Sequence, residues 1–186
     1  MSGVNKYRLA FVEYYLRRFA AKEHRILELG CGMGQYRDST SACYVGLDVT
    51  SRNYKDGYPR VVDIVASGTA IPARDQSYDL VFSVGALYQM PDPLKVLYES
   101  HRLLTPEGRG LFAEYNRRTL NRLEIEEGVK RPNWTPWGLK HLLQQAGFRK
   151  CELLPPIPRE VKQPAKSFRL ILEELVGQWA IVTGVK

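Results

Sequence analysis

Three glycines and one aspartate carry the clearest chemical signal in this sequence. Gly30, Gly32 and Gly34 stand at alternate positions at the end of the short apolar run 26–29, which predicts a buried strand that enters a tight turn. Because glycine has no Cβ atom, such a turn lets the backbone pass close beneath a bound group. Asp48 closes the next short apolar run, and its carboxylate can accept hydrogen bonds from both hydroxyls of a ribose. Together these residues predict a nucleoside site where two strands end.

The residues after the glycines separate two kinds of nucleotide site. A dinucleotide fingerprint has its third glycine three residues after the second, but position 35 is Gln. A phosphate-binding loop would need Gly-Lys-Ser/Thr, which is absent from this turn. A nucleoside without a pyrophosphate therefore fits the pattern better than a dinucleotide.

Four segments of this chain match a known series of sequence motifs in both order and spacing. They are the glycine turn 28–34, Asp48, the run 77–83 and the segment 103–108. In this order they resemble the motifs of class I S-adenosylmethionine-dependent methyltransferases, and the resemblance extends from about Arg25 to the C-terminus. It implies that the chain is an enzyme and that its cofactor is S-adenosylmethionine. The cofactor contacts predicted from the turn and the resemblance are Glu28, Gly30, Cys31, Gly32, Gly34, Asp48, Ser67, Gly68, Thr69 and Ser83.

One loop departs from the family pattern. Relatives commonly carry Asp at the position of Ser67, where it accepts a hydrogen bond from the exocyclic amine of adenine. A hydroxyl can accept one such bond but lacks the strength that a charge adds, so we expect weaker cofactor binding. Asp63, four residues earlier, would compensate only if the loop has a different shape.

These motifs require alternating strands and helices to position them. The resemblance implies a three-layer αβα sandwich around a Rossmann-like, seven-stranded, mostly parallel sheet with an antiparallel last strand. We expect one methyltransferase domain over residues 1–186, with an N-terminal helix within 1–24. Apolar patterns and turn residues predict strands near 26–29, 44–48, 60–65, 80–84, 110–116, 149–154 and 179–185, a short helix from about residue 35, and helices near 7–21, 93–104, 135–146 and 168–176.

The acceptor side of the site is less well marked. Tyr88, Glu114 and Asn116 follow or end strands at the ligand-facing edge and are the candidate catalytic residues. Relatives often carry His at the position of Gln89, so a base cannot be transferred to this chain from the family. We expect the basic stretch 117–135 to be a lid insert that selects the substrate, although a run of charge is also typical of a solvated helix face. Packing against the next helix is the alternative role for Tyr88.

Composition sets broad limits on class and compartment. The 186 residues carry a formal net charge of +7, which is compatible with an anionic acceptor and equally with a solvated basic surface. Three cysteines cannot all pair, and neither a membrane-spanning run nor a signal peptide is evident, so we expect a cytoplasmic protein. No metal site is predicted, and the oligomeric state stays open.

The acceptor follows only by elimination. The Asn/Asp-Pro-Pro-Tyr loop of nucleic-acid amino methylases is missing after the fourth strand, and so is the Pro-Cys pair of cytosine carbon methylation. We therefore expect a small-molecule acceptor, such as a sugar or a natural-product intermediate. An RNA methyltransferase is one alternative because of the basic charge. A non-catalytic partner subunit that binds S-adenosylmethionine is the other.

Overall fold

Seven strands and three α-helices build the part of the chain that can be described. The computed structural model describes residues 3–51, 62–115, 134–155 and 179–186. The strands are β1 (Arg25–Leu29), β2 (Cys43–Asp48), β3 (Ile64–Val65), β4 (Tyr78–Val84), β5 (Leu104–Tyr115), β6 (Arg149–Leu153) and β7 (Trp179–Val185). The helices are α1 (Gly3–Phe19), α2 (Pro93–Leu103) and α3 (Pro136–Gln145), with two 3-10 helices at Arg37–Ser39 and Leu87–Gln89.

The strands form one sheet in the order β3-β2-β1-β4-β5-β7-β6. Strands β1 to β5 pair in parallel, whereas β7 is antiparallel to both of its neighbours, β5 and β6. The predicted mostly parallel sheet with an antiparallel last strand is confirmed. Because the chain builds outward from β1 to β3 and then returns to place β4 on the other side of β1, the strand order reverses between β1 and β4. Open sheets of this kind bind ligands at that point, outside the carboxyl ends of the strands.

Both faces of the sheet are covered by apolar side chains, as the three-layer prediction requires. On one face, Leu16 of α1 and its neighbours pack against Leu80 and Phe82 of β4. On the other face, α2 and α3 supply Leu97 and Leu139 to the core around β4 and β5. A strand buried on both faces is expected to be almost continuously apolar, and β4 meets that expectation.

Two helices begin where their capping residues predict. Asp92 accepts a hydrogen bond from the backbone N–H of Lys95 at 3.0 Å, and Thr135 accepts one from Gly138 at 3.0 Å. A proline follows each cap at the first helical position, where its missing N–H costs nothing. Together these caps fix the starts of α2 and α3.

Other predicted elements differ from the structure or lie beyond the described ranges. The helix predicted from about Gln35 is wrong: residues 32–36 form turns, followed only by the 3-10 helix Arg37–Ser39. Gly34, at φ +68°, is outside the right-handed helical region, and the fully buried Tyr36 anchors the segment to the core. Strand β3 begins only at Ile64. The predicted helix at 168–176 lies outside the described residues.

Candidate active site

The glycine turn leaves β1 at the carboxyl edge of the sheet and is tied to the neighbouring strand. The backbone N–H groups of Gly30 and Cys31 both donate to the carbonyl of Leu47, at 2.8 and 3.0 Å. Gly30 and Gly32 have φ values of +69° and +54°, a region that side chains with a Cβ rarely adopt. The turn is therefore held in a shape that needs glycine.

Space opens above Gly32 beside the carboxylate of Asp48. A Cβ atom added at Gly32 would meet no described atom within 4 Å, whereas one added at Gly30 would lie 2.4 Å from the Cβ of Ala86. Asp48 Oδ2 accepts a hydrogen bond from the Gly32 N–H at 3.0 Å. The structure thus brings the predicted residues Gly30, Gly32 and Asp48 together around one open cradle.

Exposed apolar side chains flank this cradle. Met33 lies within the glycine turn and is 49% exposed, and Val49 follows Asp48 directly and is 68% exposed. A flat, largely apolar purine could pack on such side chains while its ribose reaches the carboxylate of Asp48. The residues present therefore fit an adenine nucleoside. Sequence reasoning missed Met33 and Val49, and their position next to motif residues was the available signal.

A partly buried polar cluster lies next to the turn. Glu28 is 2% exposed and accepts a hydrogen bond from the hydroxyl of Tyr44. The guanidinium of Arg37 lies 4.5 Å from the centre of the Tyr44 ring and donates to Asp63 Oδ2 at 2.5 Å. Burial, together with the charge of Glu28 and its hydrogen bond, raises the pKa of Tyr44, so its phenol stays a donor. Glu28 thus stabilises β2 beneath the predicted cofactor site.

The side chain of Cys31 also points toward the sheet. Its Sγ would be 2.9 Å from a Cβ added at Gly46 on β2, which shows how closely the thiol packs against that strand. Burial, followed by the charges of Glu28 and Asp48, raises the pKa of Cys31 to about 12. The thiol is therefore neutral at physiological pH, and a cofactor contact at this position would use the backbone.

The loop after β3 reaches the cradle through its backbone. The N–H of Ala66 donates to the carbonyl of Asp48 at 3.0 Å, which places the following residues beside the end of β2. The hydroxyls of Ser67 and Thr69 lie 2.8 Å apart, and Ser67 Oγ also accepts from the Thr69 N–H at 3.2 Å. Gly68 packs under Met90, whose sulfur would be 3.0 Å from an added Cβ. The hydrogen bonds of these hydroxyls thus stabilise a local turn near the site.

One carboxylate oxygen of Asp63 is bonded to residues of the protein itself. Its Oδ2 accepts hydrogen bonds from the Gly46 N–H at 2.7 Å and from Arg37. This oxygen of Asp63 is therefore held by partners within the protein, and the structure gives no support for a compensating contact with adenine.

At the end of β4, one predicted residue is fully buried. Ser83 lies between Leu29 of β1 and Phe112 of β5, at the point where the strand order reverses. Within the part of the chain that the structure describes, its Oγ is buried and has no hydrogen-bond partner. A buried polar atom without a described partner is rare in a protein core.

The loop after β4 carries the acceptor-side candidates. The half-buried ring of Tyr88 meets the ring of Tyr115 edge to face, with centroids 5.9 Å apart, and Tyr115 packs on Trp179 at 4.4 Å. Gln89 is exposed, and its Nε2 donates to the Gly85 carbonyl at 3.4 Å. Tyr88 is thus held beside the carboxyl ends of β4 and β5, with Tyr115 of β5 against its ring, and it also packs against the core cluster that includes Val96 and Leu97 of α2.

Glu114 differs most from its predicted role. Its side chain is 0% exposed, and its two carboxylate oxygens accept hydrogen bonds from three successive backbone N–H groups, those of Ala86, Leu87 and Tyr88. This geometry favours support of the loop over the direct acceptor contact that the sequence predicted. Asn116 and most of the predicted lid, residues 117–133, lie outside the described residues.

Comparison with known proteins finds a matching family model and several relatives. A family model described as "Methyltransferase domain" matches residues 27–112. The chain is 31% identical over 104 residues to 27-O-demethylrifamycin SV methyltransferase of Amycolatopsis mediterranei, which covers 49% of this chain and 38% of that protein. It is 28% identical over 141 residues to the mitochondrial arginine-hydroxylase NDUFAF5 of Homo sapiens, covering 66% of this chain and 41% of that protein.

A solved structure supports the fold over almost the whole chain. Phosphoethanolamine N-methyltransferase 2 of Haemonchus contortus, in complex with S-adenosyl-L-methionine, superposes with a TM-score of 0.67 at 21% identity. The superposition covers 96% of this chain and 52% of that one. The chain spans about two-fifths of the length of the two curated relatives above. None of the helices in the described ranges has both the length and the apolar character to cross a membrane.

Proposed function

We propose that this chain, which belongs to the class I S-adenosylmethionine-dependent methyltransferases, transfers a methyl group to a small-molecule acceptor. The observation that carries the proposal is the open cradle above Gly32, which lies beside the carboxylate of Asp48 at the reversal of strand order. Dinucleotides and triphosphates are disfavoured because the turn lacks their phosphate-binding patterns.

Each part of the cofactor has a candidate partner in this site. Asp48 would accept the ribose hydroxyls, and the glycine turn would hold the amino-acid portion of S-adenosylmethionine on its backbone. Met33 and Val49 would flank the purine. Ser67 would accept the adenine amine only by sharing a hydroxyl that already bonds Thr69, which supports modest cofactor affinity.

The chemistry needs alignment more than it needs proton transfer by the protein. When bound, S-adenosylmethionine supplies an electrophilic methyl group on a sulfonium, which an in-line nucleophile displaces. The chain would contribute by orienting the acceptor and excluding water from the reaction. Tyr88, held against Tyr115 on the acceptor side, is the described residue best placed for that task.

The acceptor class rests on two kinds of support. The relative from Amycolatopsis is named for methyl transfer to a rifamycin, which is a natural product. The loop after β4 has Ser83-Val84-Gly85-Ala86 where nucleic-acid amino methylases carry Asn/Asp-Pro-Pro-Tyr. A natural-product intermediate or a sugar is therefore our first choice of acceptor, and the net charge of +7 favours anionic ones. Three free cysteines favour a reducing, cytoplasmic setting.

The test is methyl uptake from cofactor labelled on its methyl group. Purified protein is incubated with three separate acceptor pools. The first contains hydroxylated natural products, the second contains sugars together with acids, and the third is total RNA. The matched control is Asp48→Ala, which removes the proposed ribose ligand. We expect label in a small-molecule pool with the wild type and little label with the variant.

Other outcomes identify the alternatives. Uptake into RNA alone would support an RNA methyltransferase and contradict the small-molecule proposal. Binding of the cofactor without uptake into any pool would favour a non-catalytic subunit. Failure to bind S-adenosylmethionine or S-adenosylhomocysteine at all would overturn the proposal at its first step.

A further inference from the structure

A buried carboxylate at the end of β5 organises the loop that follows β4. Glu114 Oε1 accepts from the N–H groups of Ala86 and Leu87 at 3.3 and 3.0 Å, and Oε2 accepts from Tyr88 at 3.4 Å. These N–H groups belong to the start of the 3-10 helix Leu87–Gln89, where no backbone acceptor is available. A carboxylate is suited to this place because it only accepts hydrogen bonds.

The loop that Glu114 holds is in contact with the cofactor cradle. Ala86 packs so closely on Gly30 that a Cβ added there would approach the Cβ of Ala86 to 2.4 Å. Met90, at the other end of the loop, lies against Gly68, with its sulfur 3.0 Å from an added Cβ. The loop therefore touches both the glycine turn after β1 and the loop after β3.

The same loop also reaches the acceptor side. The backbone N–H of Tyr88 donates to Glu114, and the ring of Tyr88 contacts Tyr115, the residue that follows Glu114. Tyr115 packs in turn on Trp179, which meets Phe11 of α1 at 5.7 Å between ring centroids. Two adjacent residues of β5 thus fix the backbone and the ring of Tyr88.

We infer that Glu114 is a positioning residue for methyl transfer, which sets cofactor affinity and the place of Tyr88 without touching either substrate. The inference rests on the proposed function and deepens it. The loop transmits the effect, because its displacement would release Ala86 from Gly30 and Met90 from Gly68. The acceptor contact predicted for Glu114 from sequence is replaced by this role.

Replacing Glu114 with Gln gives a variant of almost the same size and shape. An amide has only one oxygen, so its NH₂ group must face at least one of the three backbone N–H donors. Two donors in contact leave a buried N–H without an acceptor, which is costly. Glu114→Ala removes all three hydrogen bonds and forms the end of a graded series.

The experiment compares affinity for S-adenosylhomocysteine with thermal stability across matched variants. Thr183→Val is the control, because Thr183 is also fully buried in the same sheet and donates to the Gly110 carbonyl at 2.8 Å, away from the cradle. Calorimetric titration is run well below the melting temperature of every variant. Hydrogen exchange at the amides of Leu87 and Tyr88 reports on the loop directly.

We expect both Glu114→Gln and Thr183→Val to lower the melting temperature, but only the former to weaken S-adenosylhomocysteine binding, by about tenfold or more. Glu114→Ala is expected to weaken it further, with faster exchange at Leu87 and Tyr88 in both Glu114 variants. Unchanged affinity in folded Glu114→Gln would overturn the inference while leaving the proposed function intact. Equal losses of affinity in Thr183→Val would also overturn it. If the wild type binds neither cofactor form, the proposed function itself fails, and the inference with it.

Discussion

At the scale of single residues, the carboxylate of Asp48 serves the turn and the proposed ligand at once. It accepts the Gly32 N–H at 3.0 Å and faces the open cradle. Replacing Asp48 with Asn keeps the size but removes the charge and one acceptor atom. Hydrogen bonds to charged groups contribute about 1.5–3 kcal/mol, so we expect S-adenosylhomocysteine to bind about 10- to 100-fold more weakly in calorimetric titration.

The control for this prediction is the same substitution at the amino ends of the strands, opposite the cradle. Asp79 accepts hydrogen bonds from the Arg25 N–H at 2.9 Å and from the Thr105 hydroxyl at 3.2 Å, near the amino ends of the strands. Asp79→Asn should therefore leave the affinity unchanged. Equal effects of the two substitutions would mean that Asp48 acts on overall stability rather than on the ligand.

Two glycines of the turn are expected to respond differently to alanine. Both have positive φ and will be strained by a Cβ, but only at Gly30 does the added atom meet a neighbour, the Cβ of Ala86 at 2.4 Å. We expect Gly30→Ala to lower the melting temperature clearly more than Gly32→Ala does. Gly32→Ala should fold and instead lose S-adenosylhomocysteine affinity, because its Cβ occupies the cradle. The reverse pattern in melting and titration experiments would show that the cradle lies elsewhere.

The residues that the sequence predicted well are those whose signal is local. Gly30, Gly32 and Asp48 lie in short motifs, and the structure brings them together. The hydrogen-bond partners of Glu114 were not predictable, since residues 86–88 are 26 to 28 positions away in sequence. The hydrogen bond between Arg37 and Asp63 was likewise not predictable, because it depends on the tertiary fold rather than on any local pattern.

At the scale of elements, the packing of His101 in α2 against the residues that follow α3 makes the stability of the protein depend on pH. The ring of His101 meets Phe148 edge to face at 5.3 Å between centroids. Burial lowers the pKa of His101 below its ordinary 6.5, and the positive charges of Lys186 and Arg149 act in the same direction, against a hydrogen bond with the Gly147 backbone. The unfolded chain therefore binds a proton near pH 6.5 that the folded chain still excludes, and stability falls as the pH is lowered through that value.

This argument predicts the behaviour of His101→Gln. The variant should lose less of its free energy of unfolding than the wild type does between pH 7.5 and 5.5, measured by urea denaturation. His141→Gln is the control, because His141 lies exposed on α3. Its pH dependence should parallel that of the wild type. An unaltered slope in His101→Gln would contradict the burial effect.

Elements with explicit caps were predictable, whereas the shape of the segment that follows Gly34 was not. The cap and proline pairs Asp92-Pro93 and Thr135-Pro136 mark the starts of α2 and α3 in the sequence itself. After Gly34 the sequence carries no such cap, and burial of Tyr36 overrides the local tendency to form a helix. Tertiary contacts, rather than propensity, decided the shape of that segment.

At the scale of the whole molecule, the order of the strands places the separate motifs at one edge. Strand β1 lies between β2 and β4, so the glycine turn, Asp48 and the loop after β4 meet although up to about sixty residues separate them. The two apolar faces of the sheet could be predicted from the alternation of strands and helices. The antiparallel last strand was expected from the family resemblance, but the insertion of β7 between β5 and β6 was not predicted, because a run of apolar residues does not specify its neighbours.

Because the cradle draws on several strands, a ligand bound there should stabilise the fold as a unit. A ligand at 100 times its Kd adds about 2.7 kcal/mol to the stability of a two-state protein. For a chain of this size, each kcal/mol raises the melting temperature by about 2–4 °C, so saturation with S-adenosylhomocysteine should raise it by about 5–10 °C. Differential scanning fluorimetry measures this shift. Asp48→Asn should show a smaller shift at the same ligand concentration, and NAD should show none. A comparable shift with NAD would contradict the nucleoside assignment, because it would mean that the glycine turn accepts a pyrophosphate after all.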